Sequence, residues 1–397
     1  MTLVRRSLGL GEQIFASAFT FLVLVAASRL LSPEGLSVYT AFFSLNQSFA
    51  FFLMGLVLLP LASSTGADTE RQLWASLILL VLLLAGFALV APLAMLAFDS
   101  FDPSRWRANW ALSLVFFCAH CLFETARWLS IRLRGARPVF AVTAARLLLF
   151  FGGLFLLGLN GLKGAEFVLL HSSVNGLAVL GYLLVLRPSW RRLRPDFSHF
   201  KSPRHFAIFG NSLANFATNL TVVALLERAW GGAGLAAFQA LRSATNPVGL
   251  ISQFIDNHFT ASLARNPQKL AFGAGLITLA LSSAALLLVL SLLLAPMLTA
   301  WLLGADFVQW WPVLPLMLFA SLAHAMTRPV FVQWRLAGDV RMLNAYSCLV
   351  LLGVAPVIAV LGGLTTVYAM LLIFAAQPLV ALLVQRFRPF LTTAAAS

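Results

Sequence analysis

The chain has 397 residues, of which 60% are hydrophobic and only 10% charged, whereas an ordinary soluble domain carries about 25% charged residues. That composition excludes a soluble globular enzyme, and apolar runs long enough to cross about 30 Å of hydrocarbon recur from end to end. The 27 Lys+Arg against 13 Asp+Glu give a net charge of +14, which in a soluble chain would suggest nucleic acid; here the placement of the basic residues gives another answer.

Hydropathy predicts helices over 11–31, 37–61, 73–97, 109–131, 139–160, 164–186, 205–229, 234–261, 271–295, 308–333, 343–361 and 364–386. The class expected is therefore all-α and polytopic, with about 12 transmembrane helices. With the N-terminus inside, the inner loops hold 20 of the basic residues, among them Arg5, Arg6, Arg187, Arg191, Arg192, Arg194 and Arg204. The outer loops hold 5, namely Arg29, Arg105, Arg107, Lys163 and Arg228. By the positive-inside rule both termini are cytoplasmic, and the net charge is chiefly an orientation signal that excludes nucleic acid as a partner. The tryptophans, including Trp74, Trp106, Trp110, Trp230, Trp301 and Trp334, fall near predicted helix ends, where amphipathic rings sit among headgroups.

A weak duplication runs at a constant offset. Gly11, Arg29, Gly35, Leu36, Ala41, Ser44, Ala62 and Ser63 recur as Gly210, Arg228, Gly234, Leu235, Ala240, Ser243, Ala261 and Ser262; later, Arg132-Leu133-Arg134-Gly135 matches Arg335-Leu336-Ala337-Gly338. The chain thus reads as two pseudo-symmetric six-helix lobes around a central cavity, 1–199 and 200–397, joined by a cytoplasmic linker at 187–204. An even number of helices per half gives both lobes the same orientation. The repeat also makes 11–31 a retained helix rather than a cleaved signal, because its counterpart at 210–228 is internal.

Cys118, Cys121 and Cys348 all fall inside apolar segments and imply neither a disulfide framework nor a metal site. Asp99 and Asp102, the carboxylates of the largest outer loop, neighbour Arg105 and Arg107, which suggests local pairing. No catalytic constellation is present, so an enzyme is not expected, and neither a cofactor nor a metal is implied. His120, His171 and His258 stand singly in apolar sequence and read as packed or hydrogen-bonded side chains.

Polar residues inside the bilayer mark an interior surface, since they are costly against lipid. The eighth predicted helix places Gln239, Arg242, Asn246, Gln253 and Asp256 or Asn257 on one face, with Pro247 opening the backbone beside them. Asn211, Asn215 and Thr218 or Asn219 repeat the pattern on the seventh, and Glu12 or Gln13, Ser17 and Thr20 on the first with Thr40, Ser44 and Gln47 on the second give a milder version in the first half. Taken singly, each is explained as well by interhelical hydrogen bonding; together they outline a central path. Arg242 and Arg146 are mid-depth cations, each demanding compensation. Arg146 either lines the path or pairs with an acid such as Glu124, and Glu124 with Arg127 fits an intrahelical pair. Glu12, Glu124 and Asp256 are the candidate pairing or coupling acids.

The stretch Ala27-Ser28-Arg29-Leu30-Leu31-Ser32-Pro33-Glu34-Gly35-Leu36-Ser37-Val38-Tyr39 resembles the loop after the first helix of O-antigen and polysaccharide flippases, a family of the MOP exporter superfamily. Gly304-Ala305-Asp306-Phe307, Pro312-Val313-Leu314-Pro315 and Arg335-Leu336-Ala337-Gly338-Asp339 resemble its late segments. The resemblance implies a flippase of the bacterial inner membrane that moves an undecaprenyl-pyrophosphate-linked oligosaccharide to the periplasmic leaflet by alternating access. Its other implied partners are membrane lipids and the polymerase and chain-length regulators of the glycan pathway. It also implies a cationic cavity, for which Arg242 and Arg146 fit best, with Arg29 at the rim. Glu12 is expected near the cytoplasmic end of the first helix, which disfavours the multidrug branch, where a carboxylate sits within an early helix.

Overall fold

A computed structural model describes residues 3–58, 66–158, 162–186, 203–245, 289–290, 292–336, 339–360, 374 and 376–386. The secondary-structure elements among them are all helical, the class expected from hydropathy. Among the described residues, six segments are long and apolar enough to cross a membrane: Pro33–Leu58, Ala75–Met95, Pro103–Ile131, Arg137–Leu157, Gly164–Leu186 and Phe209–Ala244. The chain divides into two compact units, Met1–Ala236 and Ala237–Ser397.

In the first unit, α1 spans Leu3–Leu30 and α2 spans Pro33–Phe52. The turn between them is written in the sequence. The Ser32 side chain accepts a hydrogen bond from the Gly35 N–H at 3.2 Å, Pro33 occupies the first helical turn and Glu34 follows, so cap, fixed φ and helix dipole agree on where α2 begins. α2 ends in a π-helical turn over Leu53–Leu58. Next come α3 (Gly66–Met95), a short 3₁₀ turn at Pro103–Arg105, α4 (Trp106–Arg134), α5 (Ala136–Gly158) and α6 (Gly164–Leu186). Leu82, Leu89 and Leu93 of α3 and Leu148, Phe155 and Leu156 of α5 are exposed, as lipid-facing side chains would be.

Lipid tails are as apolar as leucine, so these helices cohere through close packing and interhelical hydrogen bonds rather than through expulsion of water. α4 packs on α6, α1 on α5, and α2 on α6. At the start of α2 and α6 the backbones touch: a Cβ on Gly164 would fall on the Gly35 carbonyl oxygen. Phe49 joins Phe87 at 4.6 Å and Phe117 at 5.8 Å between ring centroids, and Phe87 stacks on Phe117 at 4.1 Å, which ties α2, α3 and α4 together.

The run Pro203–Ala244, labelled α7, is two helices that meet at a kink, as the sequence predicts. Its single non-helical residue is Gly231, at φ 69° and ψ 178°. A positive φ of this kind costs glycine little, so a single residue suffices to turn the chain from one helix into the next.

In the second unit a short apolar helix, α8 (Leu292–Leu303), leads to a 3₁₀ turn at Ala305–Trp310, then α9 (Val313–Leu336), α10 (Val340–Val360) and α11 (Gln377–Arg386). α9, α10 and α11 meet around Phe331, Trp334, Met342, Tyr346, Ala381 and Val384. Two side-chain bonds fix α11 to α9, one between His324 Nδ1 and Gln377 Oε1 at 2.7 Å and one from Trp334 Nε1 to Gln385 Oε1 at 2.6 Å.

Candidate functional site

The first unit has a buried polar network built on α1, α4, α5 and α6. Glu12 of α1 accepts two bonds from the Arg127 fork of α4, from Nε at 2.7 Å and from Nη2 at 3.0 Å. The Thr143 hydroxyl of α5 donates to Glu12 at 3.2 Å and meets the Tyr182 hydroxyl of α6 at 2.9 Å. Arg127 Nη1 also donates to Glu124 at 3.0 Å, so the intrahelical pair suggested by their spacing forms. One guanidinium thus serves two carboxylates, in the paired geometry that makes arginine a strong buried partner.

Glu12 precedes the apolar stretch Phe15–Leu30 of α1, in keeping with its expected place near one end of the membrane-crossing part, although the helix itself begins earlier. α1 begins at Leu3, because Arg5 and Arg6 continue the helix beyond the apolar run, and this sets Glu12 about 13 Å inside it at 1.5 Å per residue. It is 2% exposed.

Arg146 of α5 is enclosed in the same bundle. Its Nε donates to Asn175 Oδ1 at 2.8 Å, and the guanidinium lies 3.5 Å from the Phe19 ring centroid and 3.9 Å from that of Phe123. It makes no ion pair among the described residues; Arg127 takes the Glu124 carboxylate instead. Two carboxylates and two guanidinium groups nonetheless gather here, and Arg146 balances the charge left over from the Glu12, Glu124 and Arg127 triad. Nearby, Tyr39 of α2 bonds His171 Nδ1 of α6 at 3.0 Å, and His171 packs against Phe19, Phe116 and Phe150. His171 is therefore a packed, hydrogen-bonded side chain, as its isolation in sequence suggests.

On α7, Asn215 folds back on its own helix, donating to Asn211 O at 2.9 Å and Oδ1 at 3.0 Å. Asn219 instead crosses to α2, where it donates to Ser48 Oγ at 2.8 Å. Phe216 lies against Phe49 and Phe52 on the same seam. Gln47 of α2 is half-buried, and Arg29 is exposed in the last turn of α1.

In the second unit, Gln239 is buried and Arg242 half-buried, one helical turn apart near the end of α7. Thr245 closes that end by donating its N–H and its hydroxyl to the Arg242 carbonyl, at 3.1 and 2.7 Å, and itself accepts from Ser321 of α9 at 3.0 Å. The rest of the predicted stripe, Asn246, Gln253, Asp256 and Asn257, with Pro247 and His258, lies outside the described residues.

Asp102 pairs locally, as expected. Its carboxylate accepts from the Ser104 N–H and hydroxyl, both at 2.8 Å, and lies 3.9 Å from Arg105. The Ser104 bonds, with Arg105 adding to them, hold this exposed carboxyl below its ordinary range.

Several members of the network were not expected as site residues from sequence: Arg127 as a partner of Glu12, then Thr143, Tyr182, Asn175 and Tyr39. Thr143 precedes Arg146 by three residues and Asn175 follows His171 by four, a periodic signal that marks polar faces on α5 and α6.

No family model and no curated protein sequence matches the chain. Solved structures do. The chain is similar to the lipid II flippase MurJ in an inward closed conformation, with a TM-score of 0.67 and 11% identity over 97% of this chain and 88% of that one. It is similar to an inward-facing multidrug resistance MATE transporter of the MOP superfamily, with a TM-score of 0.55 and 14% identity over 100% of this chain and 96% of that one. A third likeness is to a MOP superfamily transporter from Pyrococcus furiosus whose binding pocket is described as reversed in polarity, with a TM-score of 0.52 and 14% identity over 97% and 94% of the two chains. The chain therefore has the fold shared by MATE transporters and the lipid II flippase.

Proposed function

We propose that this protein is a flippase that carries a lipid-linked oligosaccharide, with undecaprenyl pyrophosphate as the carrier, from the cytoplasmic to the periplasmic leaflet of a bacterial inner membrane by alternating access. The observation that carries the reading is the likeness to the lipid II flippase across nearly the whole chain. Two six-helix lobes and cytoplasmic termini complete the proposal, the second supported by the basic residues concentrated on one side.

Pyrophosphate is multiply anionic, and the guanidinium fork binds phosphate oxygens in pairs. Arg242, half-buried beside Gln239, is the residue we assign to that contact, with Arg29 at the rim. Arg146 acts from within its bundle, as the positive end of a charge-balanced network. Moving two negative charges outward across an inside-negative potential releases about 4 to 5 kcal/mol per 100 mV, enough to drive export. An exporter of small molecules is the competing reading, favoured by the buried carboxylate of Glu12 on α1; the two-pronged grip of Arg127 on that carboxylate speaks against it as a binding site for a cation.

The test is export in cells. Arg242→Ala should abolish surface glycan and accumulate the undecaprenyl-linked intermediate at near-normal protein abundance, and Arg242→Lys should restore part of the export because it keeps charge without the fork. Full export by Arg242→Ala would reject the assigned contact. Normal glycan with drug hypersensitivity in a deletion strain would reject the flippase in favour of the exporter.

A further inference from the structure

Arg146 is a buried cation whose donors are mostly unmet. It is 5% exposed, and Asn175, to which its Nε donates at 2.8 Å, is 0% exposed. Phe19 of α1 and Phe123 of α4 lie over the guanidinium carbon at 3.5 and 3.9 Å, so rings cover it and its in-plane N–H groups are what remains for bonding. Those on Nη1 and Nη2 make no hydrogen bond among the described residues.

Asn175 is in the same condition. Because its Oδ1 accepts from Arg146, its Nδ2 faces another way, and that nitrogen is buried without a hydrogen-bond partner among the described residues. The unmet groups of these two side chains are therefore all donors, on neighbouring helices α5 and α6, and they call for an acceptor. Water accepts but carries no charge. Carboxylates carry one, yet none among the described residues reaches ion-pair distance of Arg146, since Arg127 holds Glu12 and Glu124. A buried charge without a contact partner is costly, and a small anion satisfies the donors and the charge together.

We propose that Arg146 and Asn175 form a binding site for a small inorganic anion, chloride in the first place, held by the Nη groups of the one and Nδ2 of the other. The bound ion joins α5 to α6 as Glu12 joins α1 to α4. A guanidinium under two rings and 5% exposed does not admit a lipid headgroup or a pyrophosphate, which sets this site apart from the contact assigned to Arg242. Glu124 lies within electrostatic reach of Arg146 and opposes the ion. With that carboxylate already paired to Arg127, the ion binds at millimolar rather than micromolar concentration.

The test is thermal unfolding of the purified protein in neutral micelles with phosphatidylcholine, at constant ionic strength, as chloride replaces gluconate. The wild-type midpoint should rise and saturate as for one site, by about 2 to 4 °C in all, and bromide should act likewise. Asn175→Asp removes the Nδ2 donor and supplies a negative charge of its own, so its half-saturating chloride should be at least tenfold higher. Arg146→Gln should lose the response. Should Arg146→Gln not fold, Asn175→Asp decides, together with crystals of the wild type in sodium bromide, which should show anomalous density beside the Arg146 Nη atoms. A wild-type midpoint indifferent to chloride, as when water alone fills the site, would overturn the proposal. So would an equal response in Asn175→Asp, the mark of a general salt effect. Stabilisation by phosphatidylglycerol in gluconate that Asn175→Asp abolishes would assign the site to a lipid headgroup instead. No cargo enters the measurement, so its outcome is separate from that of the export assay.

Discussion

Removing Arg127 is the sharpest probe of the buried network. Its side chain and that of Glu12 are 8% and 3% exposed, which decides between two very different magnitudes. An exposed ion pair contributes about 0 to 1 kcal/mol, but deleting one partner of a buried pair costs about 3 to 5 kcal/mol because the other charge stays behind. Arg127→Ala strands two carboxylates, Glu12 with both of its arginine bonds gone and Glu124 with its one. It should therefore lose the full amount. Glu12→Ala leaves Arg127 bonded to Glu124 at 3.0 Å and should cost less, about 1 to 3 kcal/mol, the range for one unsatisfied buried group. Equilibrium unfolding in mixed micelles, run on both single variants and the double, yields the coupling energy between the two positions. We expect about 2 kcal/mol or more, with Arg127→Lys recovering little because a point charge cannot span both carboxylate oxygens. Additivity within about 0.5 kcal/mol would show that the two side chains do not depend on each other and would refute the network as the fastening of α1 to α4.

Three further outcomes are expected. Gly164→Ala should destabilise the protein by about 1 to 3 kcal/mol in the same unfolding assay, since its Cβ meets backbone at Gly35 and no side chain can move aside. Asn219→Ala should cost only about 0.6 kcal/mol, and at most about 2, the measured range for a neutral interhelical bond in a membrane bundle, and Ser48→Ala added to it should cost little more. A cysteine replacing Asp102 should react with an impermeant thiol reagent in intact spheroplasts while one replacing Arg192 is protected; the reverse pattern would invert the orientation drawn from the charges.

The sequence was most informative where structure is local. Ser32-Pro33-Glu34 marks the start of α2 because cap, proline and acid act on the same turn, and Glu124 with Arg127 is legible because three residues of helix bring them to one face. The expected break near 230 is present at Gly231, where one residue of positive φ separates two helices; that a single residue suffices is a detail hydropathy does not carry. The buried pairings were beyond reach. Glu12 and Arg127 are 115 residues apart, and Arg146 finds an asparagine 29 residues away rather than the acid its charge suggested. Arg127 lies nearer to both acids and takes them, a competition that only three-dimensional positions can resolve. Asn215 and Asn219, identical in type and one turn apart, separate for the same reason, since only Asn219 has Ser48 opposite it.

The two close glycine contacts carry different evolutionary freedoms. Gly164 faces the Gly35 carbonyl, an atom every amino acid possesses, so no substitution at position 35 can make room for a side chain at 164. Gly232 faces the side chain of Ser37, which a glycine at 37 would remove. Among descendants of this sequence, Gly164 should therefore stay fixed whatever its neighbours become, while positions 37 and 232 should drift as a correlated pair, each able to gain a side chain only after the other has lost its own.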